Sequence, residues 1–167
     1  MKLFGKRGWF LLAAAGLAVA TVVGVASSGA AAPHQAGNQT LTLIGKRGAF
    51  SLPAVPALGL AFMAGGDLYD STGATKMGTA YSSCTVVAIS VAVPPAITGE
   101  CTTVFMLSGG DLYLGSVRDY LSGGFSNAKL AVLGGTDSYN DARGDGTVAV
   151  SDATAHNYTF TVNLVSS

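Results

Sequence analysis

Asn157-Tyr158-Thr159-Phe160-Thr161-Val162-Asn163-Leu164 alternates without a break: every second residue is apolar or aromatic, and those between are Asn or Thr. Successive side chains of a β-strand point to opposite faces, so Tyr158, Phe160, Val162 and Leu164 share one face. Thr40-Leu41-Thr42-Leu43 repeats the pattern in a shorter run. Working outward, further strands are predicted near Gly59–Ala64, Lys76–Val93, Thr102–Leu107, Asp111–Tyr120, Lys129–Leu133 and Thr147–Ser151. Turn-forming clusters separate them: Asp70-Ser71-Thr72-Gly73, Pro94-Pro95, Ser108-Gly109-Gly110, Ser122-Gly123-Gly124 and Gly134-Gly135. No segment after the leader carries a helical period. The fold class is all-β, and the pattern alone leaves a closed barrel and a sandwich open.

The first residues read differently. Lys2, Lys6 and Arg7 precede an uncharged run from Trp9 to Ala26, and the small residues Ser27 to Ala32 follow. That order is the pattern of a secretory signal peptide, expected as a helix over residues 1–32, with residues 33–37 a flexible lead and 38–167 the folded domain. The alternative is a retained membrane anchor, since a spanning helix needs roughly 17–25 residues. With cleavage, the protein is expected outside the cell and free of the membrane.

After Ala32 six Lys/Arg stand against nine Asp/Glu, a net charge of −3. An acidic surface does not neutralise phosphates, so a nucleic-acid partner is not expected. Cys84 and Cys101 are the only cysteines. In an exported chain they are expected to form a disulfide, closing a loop of about 18 residues across a hairpin turned at Pro94-Pro95 and Thr98-Gly99. A metal or redox pair would want CxxC spacing or nearby histidines, and neither is present.

Hydrolytic and metal signatures are weak. His34 and His156 stand apart from any nucleophile motif, and Gly-x-Ser-x-Gly is absent. The loop Asp137–Asp145 fails the EF-hand pattern, because Tyr139 falls at position 3 and Ala142 at position 6. No metal site and no cofactor is expected. What remains is a set of polar residues among apolar strands: Asp67, Tyr69, Asp111, Tyr113, Arg118, Asp119, Asp137 and Arg143. Gly-Gly-Asp-Leu-Tyr occurs twice, ending at Tyr69 and at Tyr113. In a strand Asp67 and Tyr69 share a face, as do Asp111 and Tyr113, so a carboxylate and a phenol would converge on a ligand if those faces line a cavity. The alternative is aspartates in turns and tyrosines packing a barrel mouth. Phe4-Gly-Lys-Arg-Gly8 is echoed by Ile44-Gly-Lys-Arg-Gly48, and no functional reading attaches to the echo.

Two longer stretches add a resemblance. Gly66-Asp-Leu-Tyr-Asp70, Gly78-Thr79, Cys84-Thr-Val-Val87, Gly134-Gly-Thr136 and Ala142-Arg-Gly144 fall in an order that resembles the allene oxide cyclase and dirigent barrels. The resemblance spans about Gly59 to Leu164 and implies an eight-stranded antiparallel β-barrel, trimeric in the plant members, working without cofactor. It implies binding of a hydrophobic small molecule or reactive intermediate, and stereoselective cyclisation or coupling where there is catalysis. Arg143 matches the Arg of the Ala-Arg-Gly element. With Asp111 it forms the expected catalytic pair, and Asp67, Tyr69, Tyr113 and Asp137 are the expected cavity residues. Leu60 and Asp137 depart from the pattern, where Asp and Gly are usual. A non-catalytic carrier, or a structural protein with a side-chain-filled barrel, stays open beside the enzyme.

Overall fold

The computed structural model describes residues 38–121 and 124–165. The expected leader helix and lead segment lie outside them. The strands are β1 (Gln39–Phe50), β2 (Ala61–Tyr69), β3 (Lys76–Ile89), β4 (Ile97–Leu107), β5 (Gly110–Leu121), β6 (Gly124–Phe125), β7 (Ala128–Gly135), β8 (Arg143–Asp152) and β9 (Asn157–Val165). All pairings are antiparallel, in the order β4-β3-β2-β1-β9-β8-β7-β5, and β4 pairs with β5 to shut the ring. Eight strands therefore form a closed antiparallel barrel, and β6 is a two-residue strand hung on the end of β5. Closure removes the unpaired edges that an open sheet would present.

The period of two sorts the residues as expected from Asn157–Leu164. Tyr158, Phe160, Val162 and Leu164 of β9 are all buried, and so are Leu43, Leu68, Phe105, Leu112, Leu114 and Val148 on the other strands. Phe105 and Phe160 meet edge to face with ring centroids 5.0 Å apart. Truncating such a buried aromatic costs about 3–5 kcal/mol. This half of the interior is filled by side chains.

Several strands run past their predicted ends. β1 continues from Leu43 through Gly45-Lys46-Arg47 to Phe50, where two glycines and two charges hide the alternation. Gly45 is required there, because a Cβ would lie 2.7 Å from Cε2 of Phe160. Thr98-Gly99, expected in a turn, lies in β4; the turn is the segment after Ile89, closed by Ser90 N–H donating to Ala96 O at 2.8 Å. The only helix among the described residues is a single 3-10 turn, Asp137–Tyr139. Cys84 and Cys101 face each other directly across β3 and β4, disulfide-bonded with Cα atoms 4.1 Å apart, and both are buried.

Candidate functional site

Small residues gather on three adjacent strands. Gly66 of β2 pairs with Ala80 of β3, Ala64 pairs with Ser82, and Gly45 lies on neighbouring β1. With so little side chain on this stretch of wall, the barrel interior stays open. Phe125, Tyr158, Phe160 and Arg118 line the same void, and Arg47 joins from β1. The cavity has a volume of about 50 Å³ and opens outward to solvent. That volume is large enough to hold ordered water.

Two guanidinium groups face this end. Arg118 keeps the parity of Leu112 and Leu114 along β5 and is only 7 % exposed. Its Nη2 donates to Ser126 O at 3.2 Å, and its Cζ lies 4.5 Å from the Phe125 ring centre and 5.2 Å from that of Tyr158. Burial pushes its pKa down to about 10, with the Tyr158 phenol acting weakly the other way. Arg47 keeps the parity of Leu41 and Leu43, and its Cζ sits 4.8 Å from the Phe50 ring centre. Phe50 stacks on Tyr120 at 4.9 Å and meets Phe62 and Phe125 edge on, so an aromatic wall holds both cations. Tyr158 accepts a hydrogen bond from Phe125 N–H at 3.2 Å.

Of the residues expected from sequence, Arg118 and Asp67 border the void, Asp67 with its carboxylate on the outer side, and the others do not line it. Leu68 and Leu112, both fully buried, take the inner face at the two Gly-Gly-Asp-Leu-Tyr copies, so their neighbours turn outward. Asp67 pairs with Lys76 on the surface at 2.7 Å, and the Lys46 ammonium sits 3.9 Å over the Tyr69 ring. The Asp67 carboxylate holds the Lys76 pKa above its ordinary value by hydrogen bonding. Asp111 uses its backbone, donating to Thr136 Oγ1 at 2.9 Å and accepting from Thr136 N–H at 2.8 Å. Tyr113 lies in outer-face register with Val104. Asp137 is exposed at φ +50° at the start of the 3-10 turn. Arg143 is exposed and donates to Ala142 O at 2.9 Å. The convergence of carboxylate and phenol inside the barrel is thus corrected: an alternating strand gives its inner face to leucine and its outer face to Asp and Tyr.

Among the sequence candidates, Arg118 alone brings a charged side chain inside. Arg47, Phe125 and His156 were missed. Extending the Leu41, Leu43, Gly45 parity by one more step would have put Arg47 indoors. Phe125 follows a two-glycine turn and His156 precedes β9, and neither carries a periodic signal.

No family model and no curated protein matches the chain. Solved structures do. A pyocyanin demethylase superposes with a TM-score of 0.58 at 18% identity, over 74% of this chain and 99% of that one. A pterocarpan synthase dirigent protein gives 0.52 at 14%, over 77% and 93%. A nonspecific heme-binding cyclase of neoabyssomicin biosynthesis gives 0.51 at 12%, over 77% of this chain and 63% of that one. At such identities the likeness is one of fold, a dirigent-like barrel.

Proposed function

We propose that this is a small-molecule-binding barrel that takes the ring-bearing end of a hydrophobic molecule or reactive intermediate between Gly66, Ala80 and the Phe125–Tyr158 wall. The observation that carries the reading is the run of Gly, Ala and Ser on three adjacent strands facing aromatic and arginine side chains. A fixed apolar slot with polar anchors at its mouth selects one orientation of its occupant. Where the occupant is reactive, orientation alone favours one closure over others. The pyocyanin demethylase, dirigent and cyclase neighbours fit that reading, as does the allene oxide cyclase resemblance of the sequence. The rival, a filled barrel with a purely structural role, draws on the small size of the inner void.

Export fits a buried disulfide, which persists in oxidising compartments. Self-association is the use proposed for the outer face of β2–β5, where Met63, Tyr81, Met106 and Val117 are exposed.

Mass spectrometry of small molecules extracted from the purified protein tests the function. A retained ring-bearing molecule, displaced in stoichiometric amount on denaturation, is the expected result. An empty protein whose melting temperature responds to no aromatic compound of a broad panel would leave only the filled barrel.

A further inference from the structure

Both inward-facing arginines lack an anionic partner among the described residues, although the chain has nine acids. All nine acidic residues are among those described, and each is engaged or placed elsewhere. Asp67 pairs with Lys76 outside, and Asp70 accepts three hydrogen bonds in the β2–β3 turn. Asp119 takes the Thr98 hydroxyl, Asp145 the Asn163 amide, and Asp152 the Thr154 and Ala155 N–H groups. Glu100 is exposed on β4, Asp111 lies at the start of β5, Asp137 opens the 3-10 turn and Asp141 follows that turn. Lys76–Asp67 is the only ion pair among the described residues.

The donors at the arginine end are also unspent. Arg118 Nε, Arg47 Nη1 and His156 Nδ1 are buried without a hydrogen-bond partner among the described residues. His156 Nδ1 and Arg47 Nη1 converge with the Tyr158 hydroxyl, since a Cβ placed on Gly124 would lie 3.4, 4.0 and 2.8 Å from them, and Arg118 and Arg47 line the same void. A buried cation without a counter-charge costs free energy that a bound anion would offset. Guanidinium forks match the two oxygens of a carboxylate better than a single point charge does. Phe125, Tyr158 and Phe160 line the same void and give it the apolar aromatic wall that a ring needs.

We propose that the arginine end of the barrel is a binding site for a carboxylate carried on an aromatic ring, with Arg118 and Arg47 holding the carboxylate and the Gly66–Ala80 void receiving the ring. This rests on the ligand-binding reading above and names the chemistry of its ligand. The neutral amide of the same acid has the same shape and no charge, so the pair isolates the anion's contribution.

Calorimetric titration of the full chain with benzoate, benzamide, 2-naphthoate and 2-naphthamide tests it. Each acid should bind at least tenfold tighter than its amide. Arg118→Met and Arg47→Met should remove that preference, and Arg118→Lys should restore part of it. Inorganic sulfate should compete weakly, because it lacks the ring. Circular dichroism confirms that each variant is folded. If a variant does not fold, the acid-to-amide ratio of the unaltered protein decides alone. Equal binding of acid and amide would sink the anion site and leave the cavity reading standing. Binding of neither at millimolar concentration would sink both.

Discussion

Replacing Arg118 by Met puts the assignment of this residue as a ligand anchor, rather than a structural staple, at risk. Burial lowers the guanidinium pKa from its ordinary value to about 10. At 1.36 kcal/mol per unit, holding the cation in the folded barrel costs about 3 kcal/mol. Against this stand the hydrogen bond to Ser126 O at 3.2 Å and the two ring contacts. A charged hydrogen bond contributes about 1.5–3 kcal/mol, and desolvated cation–π contacts about 2 kcal/mol. The opposing effects nearly cancel, and Met fills a similar volume with a flexible apolar chain. Urea unfolding of ligand-free Arg118→Met should therefore differ from the parent by less than about 1–2 kcal/mol. Adding 2-naphthoate at a hundredfold the parent's dissociation constant should stabilise the parent by about 2.7 kcal/mol and the variant by no more than about 1.4 kcal/mol, the value for tenfold weaker binding. A loss above about 3 kcal/mol in the ligand-free variant, the size seen when a satisfied buried ion pair is broken, would refute the reasoning.

Ala80→Leu adds a branched side chain opposite Gly66 and should lower benzoate affinity at least tenfold, with overpacking costing about 1–3 kcal/mol; unchanged affinity in calorimetry would place the ligand elsewhere. Cys84→Ala/Cys101→Ala opens the loop closed across β3 and β4 and should lower the urea-unfolding free energy by about 3 kcal/mol. A change under about 1 kcal/mol would mean that the hairpin is already closed in the unfolded chain. Asp70 has its pKa lowered to about 2, chiefly by the Thr72 hydroxyl bond; burial opposes it, and bonds from Ala74 N–H and Thr75 add to the lowering. Because the folded pKa is depressed, its stabilisation is complete above the unfolded value of about 3.9 and disappears as pH falls through about 2. The stability gap between the parent and Asp70→Asn should shrink over that window, and a gap constant from pH 5 to pH 2 would count against the turn.

The barrel was legible because alternation is a local signal: Asn157–Leu164 carries its inner and outer faces on its surface, and each of the eight ring strands has a predicted counterpart. Extents were harder to read where glycine replaces the apolar partner. Gly45 and Gly66 sit indoors with no hydrophobicity to report it, so β1 and β2 seemed to stop early. The site was misplaced for a related reason. Asp67-Leu68-Tyr69 and Asp111-Leu112-Tyr113 drew notice as polar chemistry, yet in each the leucine between determines the face, and it is fully buried. Arg143 entered through resemblance and lies on the surface. Arg118 and Arg47 have the right parity for the interior, but a lone arginine in a strand ordinarily marks the wet face. Only the closed ring shows that no acid follows them inside. The leader reading falls on residues outside those described.

Nuclear magnetic resonance of the arginine Nε–Hε groups during titration with 2-naphthoate tests the central claim most directly. The chain has four arginines: Arg7, Arg47, Arg118 and Arg143. The Arg47 and Arg118 signals should move together and saturate with one ligand per barrel, while the exposed Arg143 stays where it was. Movement of Arg143 alone, or of none, would contradict a ligand held in the arginine end of the barrel.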